Sequence, residues 1–310
     1  MRHVPVLLNE VVDSLRLKRG MNVVDCTLGD AGHAEKILGK IGPDGKLLGI
    51  DADAEAVLRA KQYLYNFGKR AVFVRDNFAN LKKTVVENNF NPVGGILLDL
   101  GWSSPQFEER GRGFSFLKED EPLDMRYGGE IKNQKSEIIN QRTAGELVND
   151  LSEEELGGIF REYGEEKLSR EIAEAILENR KEKPIETVKD LVNIILIVYR
   201  KKLKSKKEIP WVGGLHPATK VFQALRIAIN DELNVLLAVL PQAVEALAPG
   251  GRLAVITFHS LEDRIVKHFF KDQDGKTIKI ISKKPIVCSE EEYKNNPRAR
   301  SAKLRVIEKI

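Results

Sequence analysis

Four short apolar runs, each closed by an acidic residue, recur along the first hundred residues. They read MNVVDC, KLLGID, AVFVRD and GGILLDL, and a polar or helix-like stretch follows each one. Strands at this spacing, with helices between them, are typical of βαβ units and a parallel sheet. Ligands of such sheets bind at the carboxyl ends of the strands. The acids at these predicted ends are Asp25, Asp51, Asp76 and Asp99.

The alternation stops near Trp102, where a long stretch rich in Gly, Pro and charged residues begins. Amphipathic segments with capping-box signals then predict helices. The signals are Thr143 with Glu146, Ser152 with Glu155, and a weaker pair, Thr187 with Asp190. Strand-like runs return in RLAVITFHS, TIKIISKK and AKLRVIEKI. The pattern therefore predicts one α/β domain in two parts, residues 1–106 and 213–310, with an all-helical domain inserted at 107–212.

Composition restricts the class of protein. Of the 310 residues, 42% are hydrophobic and 31% are charged, as in a globular chain that can bury a sizeable core. No apolar run approaches the ~20 residues of a membrane span, and the first residues lack a signal-peptide pattern. The two cysteines, Cys26 and Cys288, cannot form a disulfide framework or a metal cluster. We therefore expect a cytoplasmic protein without a metal, whose net charge of +4 permits a nucleic-acid partner.

The first predicted strand runs into a turn at Gly29–Gly32 that opens a helix. This arrangement binds anionic groups through backbone N–H donors, yet the dinucleotide pattern G-x-G-x-x-G is missing. Asp51 closes the next strand, where a carboxylate would bridge two ribose hydroxyls. After the third strand, Asp76 or Asn77 would accept from an adenine amino group, and Phe78 either packs on the adenine or belongs to the core. Together these positions favour S-adenosylmethionine over a dinucleotide.

The chain also resembles a known family. Ten ordered blocks carry the resemblance: HVPVLLNEVV, DCTLGDAGHAE, GIDAD, LLDLGWSSPQF, RGFSF, PLDMR, EYGEE, HPATKVFQALRIAIN, LAPGGRLAVITFHSLEDRIVK and NPRARSAKLR. They extend from His3 to about Arg305 and are similar to the MraW/RsmH family of 16S ribosomal RNA cytosine-N4 methyltransferases. The resemblance implies a class I, Rossmann-like, S-adenosylmethionine-dependent methyltransferase domain with an inserted helical substrate domain.

The resemblance also implies which residues bind the cofactor. These positions are Ala31, Gly32, His33, Asp51, Phe78, Asp99 and Gln106. The chain departs from the family pattern at two places. Ala31 replaces a glycine of the turn, which costs little unless the position requires a positive φ. Trp102 replaces a small or β-branched residue, and it either stacks on the target cytosine or packs between the sheet and the inserted helices.

The chemistry at the fourth strand centres on acceptors for an amino group. Asp99 and Ser103 are the candidates to accept from cytosine N4, although Asp99 has the alternative role of binding the methionine amino group. His259 follows the fifth strand and either contacts the target nucleotide or is a hydrogen-bonded structural histidine. We expect the neighbouring Glu262 and Asp263 to pair with Arg264 or with nearby basic residues.

Basic residues are concentrated at several places. One run comprises Arg200, Lys201, Lys202, Lys204, Lys206 and Lys207. Such a run is either a solvated helix end or, together with Arg110, Arg112, Arg126 and the segment NPRARSAKLR, a track for RNA phosphates. Phe114 and Phe116 either stack on an unpaired base or hold their loop against the core.

The cofactor turn and the strand-end acids predict an S-adenosylmethionine-dependent methyltransferase, and the resemblance implies methylation of N4 of one cytidine in the decoding region of 16S ribosomal RNA. The resemblance implies position 1402 in the standard rRNA numbering, with the RNA inside a small-subunit particle. A small-molecule methyltransferase is the first alternative, and the helical insertion and basic runs argue against it. An RNA-binding assembly factor with a vestigial cofactor fold is the second, and the presence of Asp51, Asp99 and Gln106 argues against it.

Overall fold

The structure is a computed structural model that describes residues 4–101, 111–127, 142–204 and 214–310. The chain divides into two compact units. Unit 1 consists of Met1–Ser103 and Leu233–Ile310, and unit 2 of Ser104–Glu232.

Unit 1 is built on a seven-stranded sheet. The strands are β1 (Asn22–Asp25), β2 (Lys46–Asp51), β3 (Ala71–Arg75), β4 (Val93–Asp99), β5 (Leu247–Thr257), β6 (Ile278–Ile280) and β7 (Lys303–Lys309). Their order is β3-β2-β1-β4-β5-β7-β6. Strands β1 to β5 are parallel, whereas β7 runs antiparallel to both β5 and β6. The chain order reverses at β1, between β2 and β4, and in open α/β sheets this is where a ligand crevice opens.

The described residues form twelve α-helices. They are α1 (Leu8–Ser14), α2 (Gly32–Lys40), α3 (Ala54–Tyr63), α4 (Leu81–Glu87), α5 (Ala144–Asp150), α6 (Glu153–Glu162), α7 (Ser169–Glu182), α8 (Val188–Leu203), α9 (Thr219–Asn230), α10 (Glu232–Ala246), α11 (Ser260–Gln273) and α12 (Glu290–Asn295). Among these residues no single helix is long and apolar enough to cross a membrane. Two consecutive helices joined by a bend, Thr219–Asn230 and Glu232–Ala246, are together long and apolar enough by length and composition alone.

The sheet of unit 1 lies between two apolar layers. On one side, residues of α1, α2 and α3, including Val11, Ile37 and Ala60, form a single buried cluster with β-strand residues. On the other side, α4, α10 and α11 contribute a second cluster that includes Leu240 and Phe270. Both faces of the central strands are buried, and for this reason the strands read as continuous apolar runs in the sequence.

Unit 2 packs helices α5 to α9 around buried residues such as Phe160, Ile176 and Leu225. All three predicted capping boxes are present, with Thr143, Ser152 and Thr187 each accepting a hydrogen bond from the backbone N–H three residues later. These caps satisfy N–H groups that a helix start otherwise leaves without a partner.

The second boundary of the inserted unit lies later in the chain than the sequence predicted. The predicted return to the α/β domain is at residue 213, but helix α9 belongs to unit 2, which ends at Glu232. Helix α9 packs against α5 and α6, and its apolar face is buried. Sequence patterning does not say which of two cores an amphipathic helix joins, and the boundary was placed too early for this reason.

Candidate active site

The sheet brings the four predicted acids to one edge of unit 1. Asp25, Asp51 and Asp99 are the last residues of β1, β2 and β4, which are neighbours in the sheet. The fourth acid, Asp76, immediately follows β3. Helix α2 begins just after β1, so its N-terminus and these carboxylates belong to the same edge.

The turn between β1 and α2 has a left-handed backbone. Gly29 has φ 48° and Ala31 has φ 59°, and the Ala31 N–H donates to the Leu28 carbonyl over 2.7 Å. A residue with a Cβ pays ~1–2 kcal/mol for this conformation. The Ala31 methyl group is fully buried, and its burial returns about 0.8 kcal/mol. The position does require a positive φ, and burial of the methyl group offsets about half of the cost of alanine.

Asp51 ties the turn to the second strand. Its Oδ2 accepts the Gly29 N–H over 2.8 Å, and its Oδ1 accepts the Asp53 N–H over 2.9 Å. Burial raises the pKa of Asp51 to about 6, against the lowering effect of these two hydrogen bonds. Each carboxylate oxygen keeps a second lone pair, so Asp51 can hold the turn and still accept from a ligand hydroxyl.

Asp99 differs from Asp51 in having an oxygen without a partner. Its backbone N–H donates to Thr27 Oγ1 over 2.7 Å, and its Oδ2 lies 3.5 Å from His33 Nδ1. Its Oδ1 is buried and accepts no hydrogen bond from the described residues. Burial is the largest cause that raises the pKa of Asp99 well above its usual range, followed by the charges of Asp25 and Glu262.

A buried carboxylate oxygen without a donor is costly, and a cation or an N–H group relieves that cost. S-adenosylmethionine carries both a sulfonium and an ammonium group. The acidic strand ends Asp25 and Asp99, together with the backbone N–H groups at the start of α2, therefore form a donor and acceptor set that fits this cofactor.

The residues after β3 form hydrogen bonds mainly with one another. Phe78 begins a 3₁₀ helix, Phe78–Asn80, and is partly buried against the core. Asp76 Oδ1 accepts from the Asn77 N–H and from Asn80 Nδ2, and Asn77 Oδ1 accepts from the Ala79 N–H. These bonds leave Asp76 Oδ2 and part of the Phe78 ring as the groups available to an adenine.

His259 has a structural role at the end of β5. It is the N-cap of α11, where its Nδ1 accepts from the Glu262 N–H over 3.4 Å and the Glu262 carboxylate accepts from the His259 N–H over 3.3 Å. The spacing of His259 and Glu262 is that of a capping box, a signal that the sequence analysis missed because histidine is an unusual cap. Asp263 pairs with Arg305 over 2.7 Å and with Lys303 over 3.5 Å, as expected for a pairing with nearby basic residues.

Two of the aromatic residues and one of the basic residues named from the sequence have partners among the described residues of unit 2. Phe114 stacks on Tyr127 with ring centroids 5.8 Å apart, and Phe116 stacks on His216 at 4.5 Å. Arg126 donates to both carboxylate oxygens of Asp124, over 2.6 and 3.0 Å. These contacts agree with the hypothesis that the two phenylalanines hold their loop in place.

Several predicted residues lie outside the part of the chain that the structure describes. They are Trp102, Ser103, Gln106, Arg110, Lys206 and Lys207. No sequence signal pointed to Thr27, whose Oγ1 accepts the Asp99 N–H. None pointed to Pro5 and Val6 either, which contact the start of α2.

The buried Asp25 makes stability depend on pH. Burial raises its pKa to about 7, so the folded protein holds a proton on Asp25 between about pH 4 and 7 where the unfolded chain does not. The free energy of unfolding therefore falls as the pH rises through this window. An asparagine side chain cannot titrate, and we expect Asp25→Asn to gain about 2–3 kcal/mol over the wild type between pH 5 and pH 8. Urea unfolding without cofactor at both pH values measures this difference, and a constant difference would contradict the shifted pKa.

Comparison with known proteins gives a consistent result. The profile described as the MraW methylase family matches residues 1–310. A Clostridium botulinum protein named ribosomal RNA small subunit methyltransferase H is 45% identical over 325 residues, covering 100% of this chain and 99% of the relative. A protein of the same name from Dictyoglomus thermophilum is 45% identical and covers 99% of this chain and 96% of its own. Among solved structures, an rRNA methylase from Streptococcus thermophilus aligns with a TM-score of 0.43 at 11% identity, over 98% of this chain and 93% of its own.

Proposed function

Because the chain belongs to the MraW methylase family, we propose that it methylates the exocyclic N4 of one cytidine in 16S ribosomal RNA. The proposed target lies in the decoding region, at position 1402 in the standard rRNA numbering, and the substrate is a small-subunit particle in the cytoplasm. The observation that carries the choice of RNA is the name shared by relatives that match over nearly the whole chain, ribosomal RNA small subunit methyltransferase H. The choice of N4 rests on the family resemblance and on the acceptor chemistry of Asp99.

S-adenosylmethionine is the methyl donor, and when bound it supplies an electrophilic methyl group on a sulfonium. We propose that the backbone of Ala31, Gly32 and His33 faces its methionine end and that Asp51 accepts from its ribose hydroxyls. Phe78 packs on the adenine. Gln106, outside the described residues, completes the contacts that the family resemblance implies.

The cytosine amino group is a weak nucleophile because its lone pair is delocalised into the ring. Acceptors that draw the N–H bonds toward a pyramidal nitrogen restore that lone pair, and no strong base is needed beforehand. Asp99 is proposed as such an acceptor, since its Oδ1 is buried and lacks a donor among the described residues. With the methyl donor bound, transfer would break its S–CH₃ bond, leave a neutral thioether and form the N–CH₃ bond. The alkylated N4 would then be cationic and acidic, and Asp99 or solvent would take its proton. Ser103 is the second proposed acceptor.

The C-terminal end of α8 is the proposed site for RNA phosphates in unit 2. Arg200, Lys201 and Lys202 occupy its last turn and Lys204 follows, and all four are at least partly exposed. Lys202 lies 3.5 Å from Glu171, an exposed pair that contributes little and exchanges easily for a phosphate contact.

Removing three of these charges should weaken RNA binding and its dependence on salt. We expect the variant Lys201→Gln/Lys202→Gln/Lys204→Gln to bind RNA less tightly, with a slope of log K against log salt smaller by about 2–3, since each phosphate contact contributes about 0.7–0.9. The dissociation constant for the methyl donor should stay the same. Equal salt slopes in filter-binding titrations would indicate that the run is only a solvated helix end. The matched control Lys61→Gln/Lys69→Gln/Lys279→Gln removes three charges from unit 1.

The proposed function is tested by methyl transfer to small subunits and to free 16S RNA that lack the modification. Labelled S-adenosylmethionine supplies the methyl group, and digestion of the RNA to nucleosides identifies the product. Label in N4-methylcytidine at one position supports the proposal, and the better of the two substrates identifies the natural one. Label in another nucleoside, or transfer to neither RNA by a protein that binds the donor, would refute it.

A further inference from the structure

The segment Val4–Leu7 lies directly on the start of α2. A Cβ built at Gly32 would collide with the ring of Pro5, so the close approach requires glycine here. The Val6 carbonyl lies 3.0 Å from His33 Nε2. The segment thus contacts the first two residues of α2 at the candidate cofactor turn.

Two polar side chains from the C-terminal part of unit 1 hold this segment at either end. Asn296 Nδ2 donates to the Val4 carbonyl over 3.2 Å, and the Leu7 N–H donates to Glu292 Oε1 over 2.6 Å. Leu7 has φ 53°, a left-handed conformation that is costly for a residue with a Cβ and persists because the surrounding contacts hold it. The position of Val6 is therefore well determined.

The Val6 contact determines where the His33 proton resides. A carbonyl oxygen only accepts, so His33 Nε2 must carry the hydrogen. Nδ1 then faces Asp99 Oδ2 at 3.5 Å. The imidazole therefore lies against Oδ2, and Oδ1 is the oxygen without a partner among the described residues.

We propose that His33 is a positioning residue that fixes the orientation of Asp99, and that the Val6 carbonyl in turn fixes His33. The segment Val4–Leu7 thereby determines how Asp99 Oδ1 is presented to the bound molecules. This inference rests on the proposed function only in taking Asp99 as a group that faces a ligand. It adds a role for the His33 side chain and for a segment that touches no proposed ligand.

Two substitutions separate the two contacts of His33. The amide of asparagine reaches about as far as Nδ1, and the amide of glutamine about as far as Nε2. His33→Asn therefore keeps a polar partner for Asp99 and loses Val6, whereas His33→Gln keeps a donor for Val6 and loses Asp99. We expect His33→Gln to lower kcat about tenfold, because it removes the polar group that lies against Asp99 Oδ2, with the KM for RNA nearly unchanged. His33→Asn should recover only part of this loss, because its side chain keeps a polar partner for Asp99 but lacks the Val6 contact that fixes it.

A calorimetric titration with S-adenosylmethionine, without RNA, makes the inference independent of the RNA substrate. If Asp99 binds the methionine amino group, the same order of variants appears in the dissociation constant, with His33→Gln the weaker of the two. If the wild-type protein binds S-adenosylmethionine but methylates no 16S RNA, the proposed function is refuted. The order of the two variants in S-adenosylmethionine affinity then still tests the inference. Wild-type behaviour of His33→Gln in both assays would overturn the inference. Equal impairment of both variants, at equal thermal stability, would also overturn it because that result indicates packing alone.

The role of the segment has its own test. Gly32→Ala should displace Pro5 and lower kcat, and adding Pro5→Ala should restore activity because it removes the colliding ring atoms. The variant Gly39→Ala is a matched control in the same helix, at a position where a Cβ meets no atom within 4 Å. If Pro5→Ala restores nothing, the effect of Gly32→Ala does not pass through the segment, and this part of the inference fails.

Discussion

Replacing Asp99 with asparagine should lower the rate of methyl transfer by about 100- to 1000-fold, the usual cost of removing one preorganised electrostatic contact from a transition state. Asparagine keeps the size of the side chain and the backbone N–H bond to Thr27, but it removes the negative charge and half of the acceptor capacity. Single-turnover kinetics at saturating donor measures the effect on the chemical step.

The two roles that the sequence leaves open for Asp99 predict different splits of this loss. If Asp99 accepts from N4, the variant loses rate with little change in its affinity for S-adenosylmethionine. If Asp99 binds the methionine amino group, the variant loses mainly that affinity. Thr27→Val is a graded companion, since it removes the acceptor of the Asp99 N–H and leaves the carboxylate. We expect it to cost only a few-fold. A variant Asp99→Asn with wild-type rate and affinity would remove Asp99 from the site.

The pH dependence of wild-type activity follows from the same residue. The pKa of Asp99 is raised by burial and by the charges of Asp25 and Glu262, so the acceptor form is lost at a higher pH than in an exposed aspartate. Activity should therefore decline on the acidic side earlier than the pKa of an exposed aspartate would give.

Asp51→Ala should weaken S-adenosylmethionine by about 1.5–3 kcal/mol, which is about 10- to 150-fold in dissociation constant. The substitution removes the proposed charged acceptor for the ribose and also removes the acceptor of the Gly29 and Asp53 N–H groups. Isothermal titration calorimetry with the wild type and the variant measures the change.

The control for Asp51 is Asp53→Ala. Asp53 caps α3 through the N–H groups of Glu55 and Ala56, so this variant should lose ~1 kcal/mol of stability. It retains the backbone N–H that donates to Asp51, and we expect it to bind S-adenosylmethionine normally. An unchanged affinity in Asp51→Ala, or an equal loss in both variants, would show that Asp51 does not contact the donor.

The framework of this protein could be predicted because its signals are local. A buried parallel strand is a short apolar run, and an acid at its end falls on the ligand-binding edge by topology alone, as Asp25, Asp51 and Asp99 do. A capping box is likewise complete within four residues, so the starts of α5, α6 and α8 follow directly from their sequences.

The features that the sequence did not yield depend on distant contacts or on backbone angles. The contact of Val6 with His33 and of Leu7 with Glu292 joins positions far apart in the chain, and no spacing rule connects them. The left-handed φ of Ala31 could not be predicted, because alanine is not a residue that usually marks a positive φ. Helix α9 joined unit 2 because of packing partners, which the amphipathic pattern leaves unspecified.

The pairing of β4 with β5 has a consequence for the order in which the protein folds. β4 ends at Asp99 and β5 begins at Leu247, so the chain that connects these two adjacent strands contains the whole of unit 2. Closing so long a loop of free chain is entropically unfavourable, and contacts of this range slow folding. Unit 2 is one continuous stretch whose helices meet mostly sequence neighbours, and its early formation would shorten the free loop. During synthesis, the candidate active site would then stay incomplete until β5 and the residues that hold Val4–Leu7 have left the ribosome.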